Sequence, residues 1–433
     1  MPHKIKRVVM VTPDIQIDRR IILEAKSLIE EGKEVILIAG GNGKMPEHEV
    51  LDGIKIKRTI YNGADPRLVW MYKINFMTMN LIAKASNKAI NLIAKASNKA
   101  ISSAARLILK SINLVSKVFG LITFKNGYEK FLANIVIYYH PDVVHVHDLP
   151  VLVAGVESVR KNNALLIYDS HELYTEEELP LIPKFWLKIK EHFFIKKANA
   201  VITVNPYLKS ELETRYSVDN VSIIENATRR NNNFKIEKGY NLFRNELHLP
   251  EDSKIILYQG WFAPHRNLVT LVDGMKLLES CYYLILMGYG DYKEDLVRLI
   301  NDIGMNERVI FVPAKTQEEL LNYTASADIG VMPYLRTKNL NNLYSSPNKL
   351  YEFIAAGMPI LANNLPYYKD IIEKYRNGIV RDMESPRSFA NAVEEIFSMD
   401  LNTLRTNSLK AYKDLNWDNE GEKIKALYRG LEN

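Results

Sequence analysis

The sequence predicts an α/β protein built from two Rossmann-like doubly wound parallel sheets that face one another across a cleft. Three observations predict it. Short apolar runs alternate with helical patterns along most of the chain, and the polar stretch NATRRNNNFKIEKGYN at 226–241 divides them into two sets. At 433 residues and 47% hydrophobic content, there is enough apolar surface for two large cores. In the first set Val8–Val11, Val35–Ala39, Val143–Val146, Leu165–Tyr168, Val201–Val204 and Val221–Ile224 read as buried parallel strands. In the second, Ile255–Tyr258, Tyr283–Met287, Val309–Val312, Ile329–Pro333 and Ile360–Ala362 do. The resulting domains span 1–235 and 236–410, with a closing helix over 411–433 in YKDLNWDNEGEKIKALYRGL. Ligands of such sheets sit beyond the carboxyl ends of the strands, so the cleft is the expected site.

An amphipathic helical insertion, about 66–130, interrupts the first set. Asn80–Ile90 and Asn91–Ile101 are the same eleven residues, NLIAKASNKAI, in tandem. Eleven residues make about three helical turns, so the duplication keeps Leu81, Ile82, Ala85, Leu92, Ile93 and Ala96 on one stripe. Lys84, Lys88, Lys95 and Lys99 flank it. From Asp65 to Lys130 eleven Lys/Arg face only Asp65 and Glu129, a net charge of +9. The whole chain carries +6, which leaves the remainder slightly acidic at −3. One reading seats residues 68–124 on an anionic membrane surface, with Trp70, Tyr72 and Phe76 as flanking aromatics. The other is a helical hairpin that covers the first sheet with its lysines solvated. Nucleic acid is not an expected partner.

Cys281 is the single cysteine, which excludes a disulfide framework and a cysteine-based metal site and fits a reducing cytoplasm. MPHKIKRVVMVTPD lacks a signal-peptide profile, and no uncharged run reaches the roughly 18–20 apolar residues that span a bilayer. A cytoplasmic protein, peripheral on the inner face of the membrane, is the expected localisation.

The most informative segment is SSPNKLYEFIAAGMPILANN, Ser345 to Asn364. Ser346 reads as an N-cap and Pro347 as the first helical residue, so the N–H groups of Asn348 and Lys349 would point outward with the positive end of the helix dipole. Lys349 and Glu352 share a face. Together they suit a diphosphate and then a ribose diol; the alternative is a capped helix with a surface Lys–Glu pair. Gly357 and Pro359 end the helix before the next strand.

This segment carries the pattern S-x-P-x-K-x-x-E-[FY]-x-A-x-G-x-P in Ser345, Pro347, Lys349, Glu352, Phe353, Ala355, Gly357 and Pro359. It resembles the retaining, nucleotide-sugar-dependent glycosyltransferases of family 4, which have the two-domain GT-B architecture. KIILYQGWFAPHRNLVTLVDGMKLL from Lys254, LILMGYGDYKEDL from Leu284 and VIFVPA from Val309 resemble the same family, as do DRRIILEAKSLIEEGKEVILI from Asp18, DVVHVHDLP from Asp142 and LIYDSHELY from Leu166. The resemblance covers most of the chain outside roughly 62–130. It implies a nucleotide-sugar site of Gly260, Arg266, Gly288, Val312, Ser346, Pro347, Asn348, Lys349, Leu350 and Glu352. Catalytic roles fall to His147, Glu352, Lys349 and Arg266. Asp18, Arg20, Asp148, His171 and Glu172 fall on the acceptor side, although Asp18 and Arg20 read equally well as a helix-start salt bridge. Two positions depart from the family: Trp261 stands where a phosphate-binding arginine is usual, and Tyr344 where a second glutamate lies near the donor sugar.

The expected reaction is therefore sugar transfer from a nucleoside diphosphate sugar, expected to be UDP-linked, to an acceptor hydroxyl. The acceptor would be a membrane-associated lipid-linked or cell-surface polysaccharide precursor. Retention follows from the resemblance alone. Neither metal nor cofactor is expected, and the chain contains no Asp-x-Asp triplet. Adjacent Asp169, Ser170 and His171 suggest a hydrolase triad, but neighbours on one strand end cannot all face one another. The alternatives are a nucleotide-sugar epimerase on the same fold, or a non-catalytic scaffold subunit.

Overall fold

The computed structural model describes residues 4–60, 127–176, 181–231, 234 and 241–432. Apart from 127–130, the basic insertion expected over about 66–130 lies outside the described residues, and so does the whole 68–124 segment assigned to the membrane.

The first sheet has eight strands: β1 (Arg7–Val11), β2 (Glu34–Gly40), β3 (His48–Leu51), β4 (Ile54–Thr59), β5 (Val143–His147), β6 (Leu165–Ser170), β7 (Ala200–Thr203) and β8 (Val221–Ile223). Their order is β3-β4-β2-β1-β5-β6-β7-β8, parallel except for β3, which runs antiparallel to β4. The second sheet holds β9 (Lys254–Trp261), β10 (Tyr282–Tyr289), β11 (Val309–Pro313), β12 (Ile329–Met332), β13 (Ile360–Asn363) and β14 (Gly378–Arg381). Its order is β11-β10-β9-β12-β13-β14, with every pairing parallel. Both sheets are thus doubly wound, as the apolar runs predicted.

Three strands escaped the sequence reading. β3 and β4 form an edge hairpin turned at Asp52 and Gly53, both at positive φ, and only one face of β4 is buried. Its IKIKRT alternation reads as half-solvated, not as a buried parallel strand. β14 (GIVR) offers only Ile379 and Val380 as consecutive apolar side chains, too few to register as a run.

In each sheet the chain reverses direction of growth beside its first strand, between β1 and β5 and between β9 and β12. Crevices form at such switch points. The closing helix Trp417–Leu431 packs on Arg19–Glu30, burying Trp417, Ile424 and Tyr428 with Ile21, Ala25 and Leu28. Trp417 Nε1 donates to Ser27 Oγ at 3.0 Å, so the last helix of the chain is fastened to the first domain.

Candidate functional site

A cleft of about 790 Å³ lies at the two switch points. The second domain contributes Trp261, His265, Arg266, Tyr334 and the turn Tyr344–Asn348; the first contributes Asp18, His171, Glu172, Tyr174 and Asn226. A smaller cavity of about 460 Å³ shares Asp18, His171, Glu172 and Tyr174 and adds Pro13, Asp14, Asp148 and Pro150.

On the second domain the helix Asn348–Ala355 points its N-terminus at the cleft. Its N-cap is Pro347, with no side-chain cap, and not Ser346. The Ser346 hydroxyl instead meets Tyr351 Oη at 3.2 Å, and the Ser346 carbonyl accepts from Asn226 Nδ2 at 2.7 Å. Missing a capping side chain leaves the positive end of the helix open to a ligand anion. The Leu350 N–H already donates to Pro347 O at 3.0 Å, and its side chain lies in the core, so Leu350 is not a phosphate donor.

Lys349 is buried, with Nζ 3.7 Å from the ring centroid of Tyr258 and 5.1 Å from that of Tyr334. The amine has no hydrogen-bond acceptor among the described residues. Burial, reinforced by the Arg266 charge, holds its pKa well below the usual lysine range. Arg266 also lies over Tyr334, its guanidinium carbon 4.2 Å from the ring centroid and its Nε without an acceptor among the described residues. Glu352 does not pair with Lys349, so the surface-pair alternative is set aside. Its Oε1 accepts from Arg19 Nη1 of the other domain at 2.5 Å, and its Oε2 from Gln259 Nε2 at 2.5 Å. Thr324 Oγ1 fixes Gln259 by donating to its Oε1 at 2.9 Å.

Three expected donor-site residues act as packing. A Cβ on Gly288, at φ 155°, would stand 1.9 Å from Gly260 O, so Gly288 permits the ends of β9 and β10 to meet. Gly260, at φ 119°, leaves room for the Lys349 amine, which a Cβ would approach to 3.4 Å. Val312 is buried in the core at the end of β11. None of the three lines the cleft. Tyr344, in place of the second glutamate, stacks on Tyr207 of the first domain at 5.0 Å and lines the cleft from there.

On the first domain Asp18 caps Arg19–Glu30, accepting from Arg20 N at 2.7 Å, and faces the cleft. Arg20 is not on the acceptor side. It is 1% exposed and clamps Asp169 through two bonds of 2.7 Å and Glu24 through one of 2.8 Å. Burial would raise the Asp169 pKa, but Arg20 and His171 outweigh it and keep Asp169 ionised, well below the usual carboxylate range. Burial and then Asp169 push Glu24 up to about 8.

His147, expected beside the donor sugar, is fully buried behind His171, with Nδ1 3.2 Å from His171 Nε2. It stacks on His145 at 4.5 Å, and His145 Nδ1 meets Tyr428 Oη at 3.0 Å. Burial lowers the pKa of His147 to about 4 and that of His145 well below its ordinary value, so both are neutral imidazoles. His171 is the imidazole that lines the cleft. Burial opposes its charge, but Asp169 and Asp148 prevail and push it up to about 10. Asp148 itself is raised to about 6 by burial, and its backbone takes the uncommon φ of 66°. Ser170 turns away to donate to Glu172 O at 2.8 Å, so no triad forms, although Asp169 Oδ2 and His171 Nε2 do meet at 3.2 Å.

Glu24, His145, His147 and Asp169 offer ligand atoms within 4.8 Å of one another. Arg20 already bonds both carboxylates there, so a cation would compete with a buried guanidinium. Sequence reasoning missed Arg19, Gln259 and Tyr334. Gln259 and Arg19 each adjoin a residue that was identified, but the tertiary pairing across the cleft carries no local signal.

The family described as Glycosyl transferases group 1 matches residues 240–414, and Glycosyltransferase Family 4 matches residues 119–230. An uncharacterized glycosyltransferase of Methanocaldococcus jannaschii is 24% identical over 307 residues, covering 66% of this chain and 75% of its own. The GDP-mannose-dependent alpha-(1-6)-phosphatidylinositol monomannoside mannosyltransferase of Mycobacterium tuberculosis is 29% identical over 131 residues, 30% of this chain and 34% of that protein. Among solved structures, Anabaena HepE in complex with UDP and glucose has the same fold, with a TM-score of 0.67 at 12% identity over 98% of this chain and 100% of that one. Among the described residues no helix is long and apolar enough to cross a membrane.

Proposed function

Since this chain belongs to the group 1 glycosyltransferases, we propose that it moves a sugar from a nucleoside diphosphate sugar, UDP-linked, to a hydroxyl of a lipid-linked or polysaccharide precursor, with retention and without a metal ion. One observation carries the donor half: the uncapped N-terminus of the Asn348–Ala355 helix faces the interdomain cleft, and Glu352, one turn further in, bonds Arg19 of the other domain at 2.5 Å. A ribose diol would donate to the carboxylate while the diphosphate meets the helix mouth, Arg266 and Lys349. Diphosphate charge restores the Lys349 proton that burial disfavours. In the front-face reaction the C1–O bond to the leaving phosphate breaks as the acceptor oxygen bonds C1 on the same face. The acceptor proton passes to the leaving diphosphate. Preorganised cations stabilise the developing charge without moving. His171, charged at neutral pH, adds a positive group on the acceptor side and is no base; His147 positions it from behind.

UDP is supported by the solved neighbour that holds it, whereas the mycobacterial relative uses GDP-mannose, so both donors belong in the assay. A lipid-linked acceptor, on the inner face of the membrane, is supported by the +9 of residues 65–130 and by the lipid named for that relative. Membership in a transferase family favours transfer over the epimerase; the scaffold alternative rests on Trp261 and Tyr344 at two usual functional positions, against which stand the retained Lys349, Glu352 and Arg266.

The test is Glu352→Ala, assayed for transfer from UDP- and GDP-sugars to a membrane extract. Transfer should fall at least about 100-fold, and stabilisation by nucleoside diphosphate should vanish, while the circular dichroism spectrum is kept. Undiminished transfer would end this reading.

A further inference from the structure

Three buried cationic donor atoms gather about Glu352 at the edge of the cleft without acceptors. Arg266 Nε and Lys349 Nζ on one wall, and Arg19 Nη2 on the other, are shut off from solvent with no acceptor among the described residues. The carboxylate beside them, Glu352, has both oxygens already engaged, by Arg19 Nη1 and Gln259 Nε2. Buried N–H groups are almost always paired, so three unpaired cationic ones gathered about Glu352 suit an anionic ligand. The 260–266 loop supplies a single guanidinium, since Trp261 stands half exposed at the mouth. Arg19 sits on the other domain, at the first turn of Arg19–Glu30, with its side chain 10% exposed. Its neighbour Arg20 points about 100° round the helix, into the Asp169–Glu24 cluster, and is unavailable.

We propose that Arg19 is a donor-binding residue lent by the first domain: Nη1 stays on Glu352 while Nη2 donates to the diphosphate of the nucleotide sugar. A planar guanidinium can hold a carboxylate and a phosphate at once through separate N–H groups of fixed geometry, whereas a lysine ammonium is a point charge without that fork. The assignment rests on the donor reading given above.

The test uses the full chain and whichever of UDP or GDP binds the wild type more tightly, together with its parent nucleoside. The quantity of interest is the gain in affinity from nucleoside to diphosphate, measured by titration calorimetry and by competition. Arg19→Ala should shrink that gain about 10- to 100-fold and leave nucleoside affinity in place. Arg19→Lys should recover only part of it, and it serves as the second variant if the alanine protein does not fold. A gain that is unchanged in either folded variant, or an affinity for diphosphate that rises, would overturn the proposal, because Arg19 would then be a structural pair or a competitor for Glu352. A wild type that binds neither diphosphate would remove the donor reading and this assignment with it, whereas a failure confined to the Arg19 variants leaves the donor reading standing.

Discussion

The two walls of the cleft treat buried charge in opposite ways. On the first domain the charged groups of Arg20, Glu24, Asp169, Asp148 and His171 pair with one another, and only Glu24 Oε2 and the Nε2 atoms of the neutral His145 and His147 lack a hydrogen-bond partner among the described residues. On the second, Lys349 lies buried and Arg266 half-buried over aromatic rings, with Lys349 Nζ and Arg266 Nε unpaired among the described residues, and Glu352 takes its guanidinium partner from across the gap. A closed set of charges maintains the shape of a wall. An open set waits for a ligand. The walls should therefore fail differently when a charge is removed: the first by losing stability, the second by losing binding.

The largest effect follows from breaking the closed set. Arg20→Met leaves Asp169 ionised and buried with Glu24 beside it, and breaking a buried pair on one side costs about 3–5 kcal/mol. Urea unfolding should show that loss. If Arg20→Met is as stable as the wild type, the first wall is not held by its charges and the contrast collapses.

Lys349→Met should have the opposite sign. Burying this amine is destabilising whether it gives up its proton or keeps it, because ring faces alone, worth about 2 kcal/mol to an ammonium, fall short of full desolvation. Replacing it with a volume-matched apolar side chain should stabilise the donor-free protein by about 1–2 kcal/mol while nucleoside diphosphate binding drops sharply. The pKa of Lys349 is lowered on folding, so the unfolded chain binds the extra proton between the lowered value and the ordinary 10.5. Wild-type stability then rises with pH across that window, and the advantage of the variant should shrink. A variant less stable than the wild type at neutral pH would show that the amine has found a partner.

How much of this was legible beforehand divides along the same line. The parallel strands and the 348–355 helix could be read because each is written in consecutive residues: an apolar run, a proline, a Gly357 stop. Glu352 came with its motif. What the residues alone could not tell was whether that carboxylate would meet Lys349, three positions away, or Arg19, more than three hundred positions earlier. Arg20 was misplaced for a related reason. Asp18, Arg19 and Arg20 sit together at a helix start, and which of them faces ligand depends on a rotation about the helix that Asp169 and Glu24 decide. His147 shows the limit of carrying a role by resemblance, since the turn is present but His171 stands in front of it.

The smallest effect tests whether the first wall is closed at the cleft edge as well as in its depth. His171 meets Asp169 at 3.2 Å, has Asp148 accepting from its backbone N–H at 3.0 Å, and shares the cluster with Arg20 and His147. Its folded pKa is raised from 6.5 to about 10, so its charge contributes stability in full below 6.5, and that contribution is lost as pH rises through about 10. Side-chain exposure of 17% screens the pairs, so the pH-dependent part should be on the order of 1 kcal/mol. The stability difference between wild type and His171→Asn, measured by urea at pH 6 and at pH 10, should narrow by that amount. A difference that stays constant would mean the ring is neutral throughout, and the positive group assigned to the acceptor side would be lost from the mechanism.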